Sequence, residues 1–192
     1  MAALTLHLPP TWSLTPDQFE TLVQENRDLR LEMSARGELV IMPPTGGETG
    51  NRNFELYLDL GYWNRQTGLG KAFDSSTGFV LPNGARRSPD MSWIPLDRWQ
   101  ALSSQQRRKF LPLCPDFAVE LLSDSDDRQD TQAKMQEYLA NGLRLGWLII
   151  PDTKEVEIYR PHQDVEYLTE AIALSGEVIL PGFVVNLKPI FG

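Results

Sequence analysis

The 192-residue chain predicts one mixed α/β (α+β) domain over residues 1–192: a mixed central β-sheet flanked by helices, with an N-terminal helix and hairpin ahead of it. Three observations carry this. Residues 114–150 read as an apolar strand, a polar turn, an amphipathic helix and a second apolar strand. Residues 154–159 alternate Val156 and Ile158 against Glu155 and Glu157, the period of a half-buried strand. No repeat and no low-complexity linker divides the chain.

Taken in order, residues 16–31 predict a helix with Thr15 as N-cap and Pro16 at its first position, and with Phe19, Leu22, Val23 and Leu29 on its apolar side. A hairpin follows, with strands at 31–33 and 38–42 around a turn at 34–37. The run Pro43-Pro44-Thr45-Gly46-Gly47 stops the second strand, and residues 48–66 form a helix whose stripe of Phe54, Leu56, Leu58, Leu60, Tyr62 and Trp63 is irregular. Short strands are expected at 71–73 and 78–82, then a turn at 82–84 and a strand at 91–94 that Asp90 enters. Helical pieces at 97–102 and 104–110 lead to the strand at 117–122, and the last strands fall at 165–168, 178–180 and 182–187. Trp63, Trp93, Trp99 and Trp147 are assigned to the core.

Composition narrows the function. A single cysteine, Cys114, rules out an intramolecular disulfide, and the first residues lack the pattern of a secretory leader, so a cytoplasmic protein is expected. No window approaches 18 apolar residues, so no membrane span is expected. A net charge of −8 argues against a surface that binds nucleic acid everywhere, though Arg86-Arg87 and Arg107-Arg108-Lys109 could form local patches. The plainer reading of both runs is solvated loop and helix charge.

Glu120 interrupts an otherwise apolar strand, and an unpaired carboxylate there would raise its pKa or cost several kcal/mol. A metal ion or a lysine would resolve the conflict. Asp130, Lys134 and Tyr138 share one face of the next helix, so Lys134 can reach back over the strand end; its ordinary alternative is an exposed pair with Asp130. Asp90 supplies a second carboxylate. Glu32, Glu38 and Glu55 are possible third acids, each read as a surface residue because Glu seldom buries. His7 and His162 are too isolated for a zinc site, the Gly46-Gly47 run lacks the lysine of a phosphate loop, and Ser123 and Ser125 read as turn or N-cap residues.

The segments RSPDMSW, PDFAVELLS, the Lys134 helix and GWLIIPDTKEVEIYRP together resemble a bacterial restriction-endonuclease family of the PD-(D/E)XK nuclease superfamily, over most of the chain. The resemblance implies a restriction-endonuclease-like sheet, with Asp90 as the motif aspartate and Glu120 as the acidic residue of the triplet. The lysine expected two residues later is absent, for Leu122 stands there; related nucleases carry it on the following helix, where this chain has Lys134. It also implies the backbone carbonyl of Leu121 as a third metal ligand beside Asp90 and Glu120.

The chemistry agrees. Hydrolysis of a phosphodiester needs its charge neutralised and a water activated, and hard oxygen ligands suit Mg²⁺, for which Mn²⁺ can substitute. The expected protein is thus a Mg²⁺-dependent DNA endonuclease with Asp90, Glu120 and Lys134 catalytic. Two alternatives stay open: a weakened nuclease fold that binds without cutting, favoured by Leu122, and a metal-dependent hydrolase of a smaller phosphoester, favoured by the acidic charge. A homodimer is expected, because cutting two antiparallel strands suits two sites related by a two-fold axis.

Overall fold

The computed structural model describes residues 4–6, 13–124 and 126–192. Chain order gives β1 (Leu4–Leu6), α1 (Pro16–Glu25), β2 (Arg30–Met33), β3 (Leu39–Met42), α2 (Gly47–Thr67), β4 (Gly70–Asp74), β5 (Phe79–Val80), β6 (Arg86–Arg87) and β7 (Met91–Pro95). Then come α3 (Leu96–Ala101), β8 (Phe117–Leu121), α4 (Arg128–Ala140), β9 (Leu145–Ile150), β10 (Glu155–Tyr159), β11 (Glu166–Thr169), β12 (Ala173–Ser175), β13 (Val184–Asn186) and α5 (Lys188–Phe191). Six strands form the main sheet in the order β11-β10-β9-β8-β7-β4. It is mixed: β8 and β9 run parallel, and every other neighbouring pair is antiparallel. Parallel neighbours need a long crossover, and α4 is that crossover. A second sheet, β1-β3-β2-β6-β5, carries the hairpin.

The period of two sorts β8 between two cores. Phe117, Val119 and Leu121 enter the larger cluster with α2 and the C-terminal segments, while Ala118 faces the cluster that contains Met135 and Tyr138 of α4. Glu120 shares the Ala118 face by the same alternation, so the sheet itself turns it toward α4. Gly146 on β9 lets the helix settle close, since a Cβ there would lie 2.5 Å from Met135 Cε. Arg128 and Gln132 tie α4 to the adjoining strand: Arg128 Nε and Nη2 donate to the buried Glu157 at 2.9 and 2.6 Å, and Gln132 Nε2 donates to the same oxygen at 2.7 Å.

Several expectations need correction. Helix α1 has the expected Thr15 cap, completed by Gln18 into a capping box, but ends at Glu25 rather than residue 31. Both the backbone and the side-chain amide of Asn26 donate to the Leu22 carbonyl, ending the helix and freeing the chain to enter β2; Leu29 is left exposed. Residues 178–180 form a turn, not a strand: Leu180 N–H bonds Gly176 O, and β12 pairs with β13 across it. Segment 104–110 keeps only a single 3-10 turn, Gln106–Arg108. Of the turn or N-cap reading of Ser123 the turn holds, its carbonyl accepting from Asp126 N–H at 3.0 Å, while Asp127 caps α4 through the amides of Gln129 and Asp130. Trp99 is only half-buried, whereas Trp63, Trp93 and Trp147 are core residues. His162 is exposed at a left-handed turn position, and His7 and Ser125 lie outside the described residues. No helix among the described residues is long and apolar enough to cross a membrane.

Close backbone approach makes a ranked prediction. A Cβ on Gly70 would lie 2.2 Å from the Ile94 carbonyl and 2.4 Å from the Trp93 indole, whereas one on Gly146 meets only the movable ends of Met135 and Leu143. Gly70→Ala should cost about 2–3 kcal/mol in urea unfolding and Gly146→Ala about 1 kcal/mol or less. Equal costs would contradict the packing described.

Candidate active site

Three segments meet at the floor of one cleft. Asp90 stands at the start of β7, Glu120 near the end of β8, and Lys134 in the middle of α4. The cleft encloses about 920 Å³, and its lining includes Asp90, Glu120, Leu121 and Lys134 with β2 and β3 as one wall. Register brings the carboxylates together. Leu121 N–H donates to Asp90 Oδ2 at 2.9 Å, so the backbone link of β8 that follows Glu120 holds the Asp90 side chain. From the other side, Tyr57 of α2 donates its hydroxyl to the Asp90 carbonyl at 2.8 Å while accepting from Ser75 N–H at 3.2 Å.

Lys134 does not pair with Asp130. Its Nζ sits 3.0 Å from Glu120 Oε1 and 3.0 Å from Glu32 Oε1, with only 13% of the side chain exposed. Tyr138, one turn on, donates its hydroxyl to the same Glu120 oxygen at 3.0 Å. The reach over the strand end expected of Lys134 is thus the geometry found, and the exposed helix pair is not.

Glu32 overturns its assignment to the surface: its side chain is 3% exposed. It accepts from Lys134, from Arg87 Nη1 at 3.2 Å and from Ser88 N–H at 2.9 Å. Arg87 in turn donates from Nε to Glu137 at 2.6 Å, so the expectation that Arg86-Arg87 is solvated also fails: Arg86 is buried and Arg87 nearly so. A buried Glu is tolerated when cations and amides surround it, and here two cations do. Glu38 and Glu55 are half-buried.

The electrostatics follow from this crowding. Burial, reinforced by the neighbouring Asp90 and Glu32 carboxylates, pushes Glu120 up to about 7 against the pull of Lys134. Burial likewise raises Asp90, although the Leu121 amide and Lys134 oppose it. Burial alone would raise Glu32, but Lys134, Arg87 and the Ser88 amide outweigh it and hold the carboxyl below its usual range. Burial would lower Lys134, but Glu120 and Glu32 overcome it and hold the ammonium charged.

Among the described residues no three His, Cys, Asp or Glu side chains form a ready metal cage. Two carboxylates at adjoining strand ends, with Leu121 held between them through its N–H to Asp90, nevertheless suit a hard divalent cation that keeps part of its water shell. The raised pKa values of Asp90 and Glu120 fit as well, since their oxygens lack enough positive charge for both to ionise freely. The sequence predicted that Asp90, Glu120 and Lys134 lie together, which is the arrangement found, and it did not identify Glu32, Arg87, Tyr57 and Tyr138 as their hydrogen-bond and ion-pair partners. Tyr138 was within reach, standing one turn from Lys134 on the same helix face.

A family model described as "Uma2: Putative restriction endonuclease" matches residues 16–188. The fold is similar to a crystal structure titled as a putative nuclease belonging to DUF820 from Anabaena variabilis ATCC 29413, with a TM-score of 0.79 at 20% identity, covering 93% of this chain and 97% of that one. No curated protein matches.

The site's charge predicts how metal-free stability varies with pH. Glu120 has a folded value near 7 against an ordinary 4.5, so folding takes up a proton; that stability is complete below about pH 4.5 and is lost as pH rises through 7. Asp90 acts with the same sign, whereas Glu32 is depressed and costs stability only as pH falls below its usual range. Urea unfolding without metal should therefore show a loss on the order of 2 kcal/mol from pH 5 to pH 8. Glu120→Gln should flatten that slope; an unchanged slope in the variant would contradict the assignment.

Proposed function

The chain belongs to the Uma2 family, and on that premise we propose that it is a Mg²⁺-dependent endonuclease that hydrolyses phosphodiester bonds of DNA. The observation that carries the reading is the Lys134 ammonium 3.0 Å from Glu120 in a cleft floor shared with Asp90. A charge-only role on the helix surface would leave Lys134 beside Asp130 in water. Its position supports instead the lysine that other nucleases of the superfamily hold two residues after the acidic position, where this chain has Leu122, half-buried against the core on the α4 side.

Asp90, Glu120 and the Leu121 carbonyl would hold the cation. Bound there, Mg²⁺ or Mn²⁺ supplies Lewis acidity at the scissile phosphate. Lys134 stays an ammonium through the neutral range, so it donates hydrogen bonds to the attacking water and to the charge developing on phosphate rather than removing a proton. Glu32 and Arg87 fix where that ammonium points, and Tyr138 fixes the Glu120 carboxylate it meets. Tyr57 and the Leu121 amide hold Asp90 in place. Two such sites in a two-fold dimer would match two antiparallel strands.

One observation favours a second reading, hydrolysis of a smaller phosphoester. Ten carboxylates and only four bases line the cleft among the described residues, a balance that repels a long polyanion unless divalent cations offset it.

Incubation with supercoiled plasmid in Mg²⁺ or Mn²⁺, beside a chromogenic phosphodiester, separates the two readings; plasmid cleavage without turnover of the small ester supports the first, and the converse supports the second. In calorimetry Asp90→Ala and Glu120→Ala should each remove the Mn²⁺ site. Lys134→Met should retain it while cleavage falls at least about a hundredfold. A fully active Lys134→Met protein would overturn the role given to the lysine.

A further inference from the structure

Three of the four bases in the cleft are already committed: Lys134 to Glu32 and Glu120, Arg87 to Glu32 and Glu137, and Arg36 to Glu38. Arg30 is the exception. It lies on β2, two residues before Glu32, so the alternation of the strand turns both into the cleft. Its charge is felt by Asp90, but no ion pair joins the two among the described residues. Its Nε and Nη2 are shut off from water and meet no hydrogen-bond acceptor. Those two atoms form one edge of the guanidinium fork, the edge that grips two oxygens of a carboxylate or phosphate at once. Buried donors left without partners are costly and uncommon, so a group that natively meets them is called for.

We propose that Arg30 is the phosphate-binding residue of the cleft: a small rotation of its guanidinium presents the Nε and Nη2 edge to the non-bridging oxygens of a phosphodiester seated beside Asp90. This rests on the Proposed function only for the identity of the phosphodiester as DNA. The carboxylate-rich lining makes the assignment sharper, because an incoming phosphate finds no other unpaired cation among the described lining residues. Arg30 binds the substrate phosphate directly here, while the chemistry stays with Asp90, Glu120 and Lys134. Arginine is also specific at such a place: a lysine offers a point charge without the fork.

The test uses the full chain with two probes. The first is a fluorescein-labelled duplex oligonucleotide in Ca²⁺, followed by anisotropy across a salt series, for the wild type, Arg30→Lys and Arg30→Met. The second is dimethyl phosphate, a diester with no sequence, followed through the Arg30 Nε–H NMR signal, assigned as the one lost in Arg30→Lys. The expected result is a ten- to hundredfold weaker duplex complex in both variants, a salt slope smaller by about one in Arg30→Met and unchanged in Arg30→Lys, and a shift of the wild-type Arg30 signal with dimethyl phosphate. If the wild type does not bind duplex but dimethyl phosphate moves the Arg30 signal, the DNA reading fails and the phosphate site stands. If the duplex binds wild type and variants alike and the signal stays still, the site is overturned and the DNA reading survives; no binding with a still signal overturns both. Arg30→Met also removes two buried donors that lack acceptors, so its melting temperature should hold or rise. A fall of several degrees with unaltered duplex affinity would assign Arg30 to structure and end the proposal.

Discussion

One buried ammonium organises the cleft. Lys134 lies equally near Glu120, on the main sheet, and Glu32, on the hairpin sheet, so a single charge joins two sheets and the crossover helix. Remove it and two carboxylates face each other in low dielectric; remove either acid and the ammonium is left under-compensated. Much nearby structure serves to keep that arrangement. Arg87 and the Ser88 amide neutralise the rest of Glu32, Tyr138 satisfies Glu120, and the Arg128–Glu157 pair anchors the start of α4 on β10. The core contributes as well, through the β8 alternation that turns Glu120 away from the larger apolar cluster.

The acidity of the chain acquires a local meaning in this arrangement. Carboxylates dominate the cleft while its bases are mostly spent on them, so the cleft attracts cations before it attracts phosphate. A divalent ion and an anionic substrate would then bind in concert, each reducing the repulsion the other meets. The exposed Arg107-Arg108-Lys109 run stands elsewhere: Arg107 lies over Trp99, and Lys109 pairs with Glu20.

Which parts were legible in the sequence follows from the physics of each signal. Strand β8 and its intruding Glu120 were plain, because a charge amid five buried positions breaks a pattern that hydropathy reads directly. Lys134 was legible through helical spacing, and Asp90 through the apolar run it precedes. Glu32 was not, for the short strand R-L-E-M alternates like any half-exposed hairpin, and only the arrival of α4 and β6 from far along the chain buries its second face. Arg86-Arg87 was misread for the same reason: local charge says solvent, and long-range pairing says otherwise. The end of α1 turned on the Asn26 side chain, and residues 178–180 on a turn whose apolar Ile179 and Leu180 pack inward and mimic a strand.

The central claim is that Asp90, Glu120 and Lys134 make one site in which the helix lysine serves a cation held by the two carboxylates. Anomalous diffraction from a crystal soaked in Mn²⁺ tests it most directly. The account predicts a single strong peak bonded to carboxylate oxygens of both Asp90 and Glu120 at about 2.0–2.3 Å, with the Lys134 ammonium still in the cleft floor. No peak between those two residues, or a peak whose arrival expels Lys134 to solvent, would contradict it.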